Sequence, residues 1–160
     1  NAWSEATGLL PGPNEDTVEF RIPAGVSGHT EEMRFTFDGR FPNLPLTNFG
    51  AHMHLIGTEM EVWIERADPD PGESERECLL PASRYEYDWQ QLYRVDADLD
   101  EMPAISGGDS VYLKCTYDNT LDNEGTRRAL AYAGLDEPVD VTLGEGTLDE
   151  MCVAMVGYVY

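Results

Sequence analysis

Residues 51–66 read AHMHLIGTEMEVWIER and form the longest strand candidate of the chain. Side chains two residues apart on a strand point to the same face of the sheet. His52 and His54 are therefore expected on one face, and Met53 and Leu55 on the opposite face. This alternation predicts a half-buried β-strand that carries both histidines.

The alternation changes parity after Gly57. The apolar residues further on are Met60, Val62 and Ile64, and the neighbouring acidic residues are Glu59 and Glu61. All the apolar side chains reach one core only if the register slips once, and a β-bulge at residues 57–58 would produce that slip because glycine tolerates the bulge dihedrals. The two histidines are then predicted on the solvent-facing side, together with the acidic residues.

The rest of the chain also alternates like short strands. The candidates are residues 17–22, 32–37, 84–95, 111–117, 139–143 and 151–160, with an aromatic face of Tyr85, Tyr87 and Trp89 and a polar loop over residues 68–77. Only residues 123–134 have a helical pattern. Many short strands joined by Gly, Pro and Asp turns predict an all-β, antiparallel sandwich. We expect a single domain over residues 1–160.

The charge balance limits the partners of the chain. The sequence has 31 acidic and 10 basic residues among 160, which gives a net charge of −21. Such a surface repels phosphate backbones and anionic lipids, so we expect no nucleic-acid and no membrane partner. No stretch approaches the roughly 20 apolar residues of a membrane-spanning helix. The acidic residues are spread along the chain, which favours a role in solubility.

The three cysteines allow at most one internal disulfide. Cys115 shares its strand face with apolar neighbours, and so does Cys152, so the pattern indicates a bridge between them, with two buried free thiols as the alternative. Cys78 is then left unpaired, and we expect it to be buried.

Potential metal ligands are few. A His-x-His pair alone is a weak sign of a metal site, and two ordinary surface histidines are the alternative for His52 and His54. His29 lies in a predicted turn and is expected to be an ordinary surface residue. Met151 lies on the opposite face from the core-like set Cys152, Ala154 and Val156. A methionine beside a buried cysteine is ordinarily a packing residue, but an outward-facing methionine is unusual.

Three motifs carry a resemblance to a known family. They are HMHLIG at 52–57, CTYDN at 115–119 and DEMC at 149–152. In this order, they make the sequence similar to the C-terminal catalytic domain of the copper type II ascorbate-dependent monooxygenases, the enzymes related to peptidylglycine α-hydroxylating monooxygenase and dopamine β-monooxygenase. The resemblance covers nearly the whole chain.

The resemblance implies a fold and a site. The fold would be an antiparallel, jelly-roll-like sandwich, and one copper ion would be held by His52, His54 and Met151. The family's disulfide maps onto Cys115 and Cys152. Imidazoles suit both redox states of copper, while a thioether favours Cu(I), the state that reacts with O₂.

The sequence also departs from the family. Peptide-amidating members bind the substrate carboxylate through an Arg, an Asn and a Tyr, and the matching positions here are Gly50, Val153 and Met155. No cationic anchor remains, so peptidylglycine amidation is not expected. The segment between Asp118 and Asp136 is long for the family.

Three functions follow from these patterns. The favoured one is a secreted or periplasmic copper domain that uses O₂ to hydroxylate a C–H bond of a small-molecule or peptide substrate. Electrons would come from an external reductant such as ascorbate, or from a partner domain. The alternatives are an exported copper carrier without turnover and a structural sandwich with a vestigial site.

Overall fold

The computed structural model describes residues 9–10, 19–69, 71–72 and 74–160. Within these ranges the chain forms ten strands, one 3-10 turn and one α-helix. The elements are β1 (Arg21–Ile22), β2 (Ser27–Thr36), β3 (Leu44–His52), β4 (Gly57–Glu65), β5 (Arg76–Ala82), the 3-10 turn (Tyr87–Trp89), β6 (Leu92–Arg94), β7 (Ala104–Ile105), β8 (Ser110–Asp118), α1 (Glu124–Ala133), β9 (Val141–Thr142) and β10 (Val153–Tyr158).

The strands form two main antiparallel sheets. One has the order β2-β8-β4-β5, and the other has the order β10-β3-β6, with β7 also paired to β3; β1 and β9 make a separate two-stranded ribbon. One buried hydrophobic cluster joins residues of both sheets. The predicted all-β antiparallel sandwich is therefore confirmed. The extent of the domain over residues 1–160 stays a prediction, and the first two residues of the strand predicted at 17–22 lie outside the described residues.

The inward face of β4 follows the predicted parity. Met60, Val62 and Ile64 are each at most 1% exposed, as is Met53 before them. The pairing of β4 with β8 shifts register between Gly57 and Glu59, so the predicted bulge is confirmed. Burying such side chains stabilises the fold by roughly 1.5–3 kcal/mol each.

The prediction of one continuous strand over residues 51–66 is wrong. β3 ends at His52, β4 begins at Gly57, and the two strands belong to different sheets. Residues 53–56 form a turn between the sheets, which we call the ligand turn. In this turn Ile56 is buried and Leu55 is only half-buried, the reverse of the predicted pattern. The alternation of apolar and polar residues cannot reveal this break, because the backbone groups of the turn bond to side chains that are distant in the sequence instead of to a neighbouring strand.

The helix predicted over residues 123–134 is confirmed. The Asn123 side chain caps its N-terminus by accepting a hydrogen bond from the Gly125 N–H, and Gly134 ends it with a φ of 70°. Gly125 also has a packing role. A Cβ placed on it would lie 1.7 Å from the carbonyl oxygen of Leu55, so only glycine lets α1 abut the ligand turn.

The strand predicted over residues 84–95 is largely wrong. Only Leu92–Arg94 is extended and paired, and Tyr87–Trp89 forms the 3-10 turn instead. Tyr85 points into the core, while Tyr87 and Trp89 are 41% and 70% exposed, so the three aromatic residues do not share one face. The buried Tyr85 hydroxyl bonds to the ligand turn, and the chain then turns away from the sheet.

Two predictions of burial and one of secondary structure also need correction. Cys78 is exposed on β5, where it pairs with Trp63 of β4. Val156, expected in the core, is 37% exposed on the edge strand β10. His29 lies in β2, not in a turn, and its Nε2 is 2.9 Å from Oε1 of the buried Glu31.

In the part of the chain that the structure describes, no helix is long and apolar enough to cross a membrane.

Candidate metal centre

His52 is the last residue of β3, and its ring is held by Gln90. The His52 Nδ1 lies 2.6 Å from the Gln90 Oε1, and the Gln90 amide nitrogen donates to the Tyr87 carbonyl at 2.9 Å. The second bond orients the amide so that its oxygen faces the imidazole. Nδ1 must then carry the proton, which leaves the lone pair of Nε2 free to bind a metal.

His54 lies in the ligand turn, and its ring is held by a backbone carbonyl. Its Nδ1 is 2.8 Å from the Asp149 carbonyl oxygen, which can only accept, so Nε2 again keeps its lone pair. The ring centroids of His52 and His54 are 5.4 Å apart, and both residues are half-buried. The structure therefore brings the two histidines side by side, although they belong to a strand end and a turn instead of one strand.

A buried carboxylate joins the ligand turn to Met151. Glu150 is 1% exposed, and its Oε2 accepts the backbone N–H of His54 at 2.7 Å and that of Met151 at 3.1 Å. Its Oε1 accepts the N–H of Ile56 at 2.9 Å. Burial raises the pKa of Glu150 to about 7, against the opposing effect of these three hydrogen bonds. Sequence reasoning did not identify this residue, although it belongs to the DEMC motif.

Two further contacts fix the backbone of Met151. The Tyr117 hydroxyl donates to the Met151 carbonyl at 2.8 Å, and the next residue, Cys152, forms a disulfide with Cys115. The predicted disulfide is thus confirmed. In the β10–β3 pairing Val153 lies opposite His52, so Met151 comes two residues before the position that pairs with this histidine.

Tyr85 fixes the residue between the two histidines. Its hydroxyl accepts the Met53 N–H at 2.9 Å and donates to the Met53 carbonyl. Burial is the main cause that raises the pKa of Tyr85 to about 12. Both backbone groups of Met53 are therefore satisfied without a strand partner, and the ligand turn is held in one conformation.

The positions that carry a substrate anchor in amidating enzymes are apolar here. Met155 pairs with Gly50, and Val153 pairs with His52. A Cβ on Gly50 would lie 2.8 Å from the Met155 Cε and 3.2 Å from a Leu92 methyl group. A larger residue at position 50 would displace these side chains. The packing around Gly50 thus agrees with the absence of an arginine at this position of the sequence.

Among the described residues, no three His, Cys, Asp or Glu side chains form a group that could hold a metal ion. Nε2 of His52 and Nε2 of His54 keep lone pairs that are available to a metal, and the backbone N–H groups of His54 and Met151 share one oxygen of Glu150.

The site is therefore a pair of oriented imidazoles in an antiparallel β-sandwich, linked through Glu150 to the backbone of Met151. The sequence model of the copper type II ascorbate-dependent monooxygenase C-terminal domain matches residues 30–160, and the chain belongs to this family. The family depends on copper and acts with O₂ and ascorbate. No curated protein matches the chain.

Proposed function

We propose that this domain binds one copper ion through Nε2 of His52, Nε2 of His54 and the sulfur of Met151. The observation that carries the proposal is the state of the two imidazoles, since both Nδ1 atoms are bonded to acceptors and both Nε2 atoms are free. Two nitrogen donors and one thioether suit copper in its two redox states. The residues present thus fit the metal on which the family depends.

Copper bound here would supply the activation of O₂ for hydroxylation of a substrate C–H bond, as the family membership indicates. The protein's own contribution is to hold the donors ready. Gln90 and the Asp149 carbonyl orient the two rings, and Glu150 fixes the turn and the methionine relative to each other. Such supporting contacts reduce the reorganisation that metal binding would otherwise require.

We propose that electrons come from ascorbate or a similar reductant, or from a partner domain, as in the family. We also propose an exported location. The support is the family and the Cys115–Cys152 disulfide, because disulfides persist mainly in oxidising compartments.

The test measures O₂ consumption and hydroxylated product with ascorbate, with and without one equivalent of copper. We expect turnover to require copper and to fall at least tenfold in Met151→Ala. Met102→Ala, which replaces a half-buried methionine in another part of the fold, is the matched control. Normal turnover in Met151→Ala would overturn the proposed ligand set. Tight Cu(I) binding without product from any substrate would indicate a copper carrier instead.

A further inference from the structure

The sandwich is open along one side, where an edge strand of each sheet lines a common pocket. β5 is at the end of one sheet, and β6 is at the end of the other. The pocket between them has a volume of about 280 Å³, and its lining includes Ala51 of β3, Ala82 of β5 and Tyr93 of β6. We call it the edge pocket. Its volume is just below the usual range of about 300–1,000 Å³ for drug-sized ligands, which suits a single small ring.

The edge pocket is separate from the candidate metal centre. His52, His54 and Met151 are outside its lining. Gln90, which bonds Nδ1 of His52, is part of that lining, so the pocket lies on the Nδ1 side of the imidazole. A copper ion would lie on the opposite, Nε2 side of the ring.

We propose that the edge pocket binds one ring of a neutral sugar against the aromatic side chains of Trp89 and Tyr93, with polar side chains at its rim bonding the sugar hydroxyls. This binding site goes beyond the proposed function, because it needs neither copper nor O₂. The argument uses the floor, the aromatic walls and the charge of the pocket in turn.

Small side chains at the floor leave space for a ligand. Ala82 is opposite the fully buried Met60 in the β5–β4 pairing, so it faces the space between the two sheets. Ala51, which is 7% exposed, lines the floor from the other sheet. Because each alanine contributes a single methyl group, the sheets leave an opening here that larger inward side chains would close.

Two large aromatic side chains remain exposed at the walls. Trp89 is 70% exposed and Tyr93 is 51% exposed, and they come from different elements, the 3-10 turn and β6. The face of an aromatic ring is negative, so it attracts the weakly positive C–H groups on the face of a sugar ring. These walls therefore suit a ring that is apolar on its faces and polar around its edge.

The turn that carries Trp89 is held in place before any ligand binds. The Trp89 N–H donates to the Glu86 carbonyl at 2.9 Å. The preceding residue, Asp88, forms a two-pronged ion pair with Arg128 of α1, with N···O distances of 2.5 and 3.0 Å. Because planar, two-pronged pairs define orientation, this contact fixes the turn against α1. Sugar binding would then have little backbone to order, which lowers its entropic cost.

The rim of the edge pocket is polar but has no net charge. Arg84 and Glu86 line it and form an ion pair with an N···O distance of 2.6 Å, and the other lining residues are uncharged. The guanidinium keeps further N–H donors and the carboxylate keeps a second acceptor oxygen, so both can bond hydroxyl groups.

The charge of the whole chain favours a neutral ligand over an acidic one. The net charge is −21, so an anion approaching the pocket is repelled. Arg84, the cation of the lining, is already paired with Glu86 and offsets little of this repulsion.

The experiment uses methyl β-D-glucopyranoside as the probe, on the copper-free protein at neutral pH. All substituents of this ring are equatorial, so both of its C–H faces are open to stacking. Binding is measured by ligand-observed NMR. We expect saturable binding that is at least about threefold tighter than that of methyl β-D-glucuronide, in which a carboxylate replaces the primary alcohol.

Two variants remove a wall and fill the floor. Trp89→Ala should weaken binding of the glucoside about fivefold, a typical cost of losing one aromatic contact. Ala82→Leu should weaken it at least about tenfold, because the larger side chain occupies the floor. Tyr158→Ala is the matched control, since it removes an aromatic residue of β10 that is 60% exposed and outside the lining, and it should leave binding unchanged.

Absence of glucoside binding, or equal affinity of Trp89→Ala and the unmodified protein, would overturn the inference. Tighter binding of benzyl alcohol than of the glucoside would also overturn it, since the pocket would then select a flat apolar ring. Thermal unfolding followed by circular dichroism verifies that the variants keep the fold. If Ala82→Leu does not fold, the exposed Trp89→Ala and its tyrosine control decide the test. Because no copper is present, the outcome is independent of the proposed copper ligands.

Discussion

The two sides of the candidate metal centre are held by different kinds of contact. The inner side, which consists of Glu150, Tyr117 and the Cys115–Cys152 bridge, is buried and acts on the backbone of the ligand turn and Met151. The outer side, which consists of the 3-10 turn, Gln90 and α1, is mostly exposed and acts through side chains. The difference teaches that buried contacts fix the backbone of the site, while exposed side chains orient the ring of His52.

The largest expected effect is on the inner side. Glu150→Ala should lower the free energy of unfolding by about 4 kcal/mol, because the buried N–H of Ile56 and the partly buried N–H groups of His54 and Met151 lose their acceptor at roughly 1–3 kcal/mol each. Urea denaturation measures the change, and Glu145→Ala, at an exposed acid, is the control. A loss below about 1 kcal/mol would show that the inner side does not depend on this carboxylate.

The disulfide is the next contact to remove. The double variant Cys115→Ser with Cys152→Ser should lower the free energy of unfolding by roughly 3–4 kcal/mol, because the bridge closes a long loop. The bridged residues are separated by 37 positions. Cys78→Ser, at the exposed free thiol, should have no measurable effect in the same denaturation experiment. Equal stability of the double variant and the unmodified protein would contradict the prediction.

On the outer side, the expected effect is on metal affinity and not on folding. Gln90→Ala should weaken copper binding about 10- to 100-fold, a usual cost of losing the partner that orients a histidine ligand. Competition with a copper chelator measures this affinity. Gln91→Ala, at the exposed neighbouring glutamine, is the control. Unchanged affinity in Gln90→Ala would mean that the ring of His52 is oriented by other contacts.

The smallest effect concerns the turn between the two sides. The pKa of Tyr85 is raised to about 12, so the unfolded chain releases this proton near pH 10 while the folded chain keeps it. Stability should therefore fall as pH rises from 10 towards 12. Tyr85→Phe should lack this contribution, so the difference between the two unfolding curves isolates it. Parallel curves over this pH range would contradict the prediction.

Local patterns predicted much of this fold. Alternation located the inward face of β4 and its bulge, and Asn123 with Gly134 marked the ends of α1. These features depend on neighbours within a few residues. The face analysis also favoured the disulfide, because Cys115 and Cys152 both lie among apolar side chains.

Long-range hydrogen bonds explain the features that could not be predicted from local sequence patterns. The ligand turn breaks the predicted strand because Glu150, 94 and 96 residues away, and Tyr85, 32 residues away, bind its backbone groups. Gln90 was missed as a partner of His52 for the same reason. The motifs located the candidate ligands, but no periodicity shows which side chains hold them.

X-ray absorption on the copper-loaded, ascorbate-reduced protein tests the central claim most directly. The account predicts one copper per chain, with two imidazole nitrogens and one sulfur in its first coordination sphere, and with the sulfur signal lost in Met151→Ala and retained in Met102→Ala. A reduced site that has no sulfur ligand in the unmodified protein, or that keeps its sulfur signal in Met151→Ala, would contradict it.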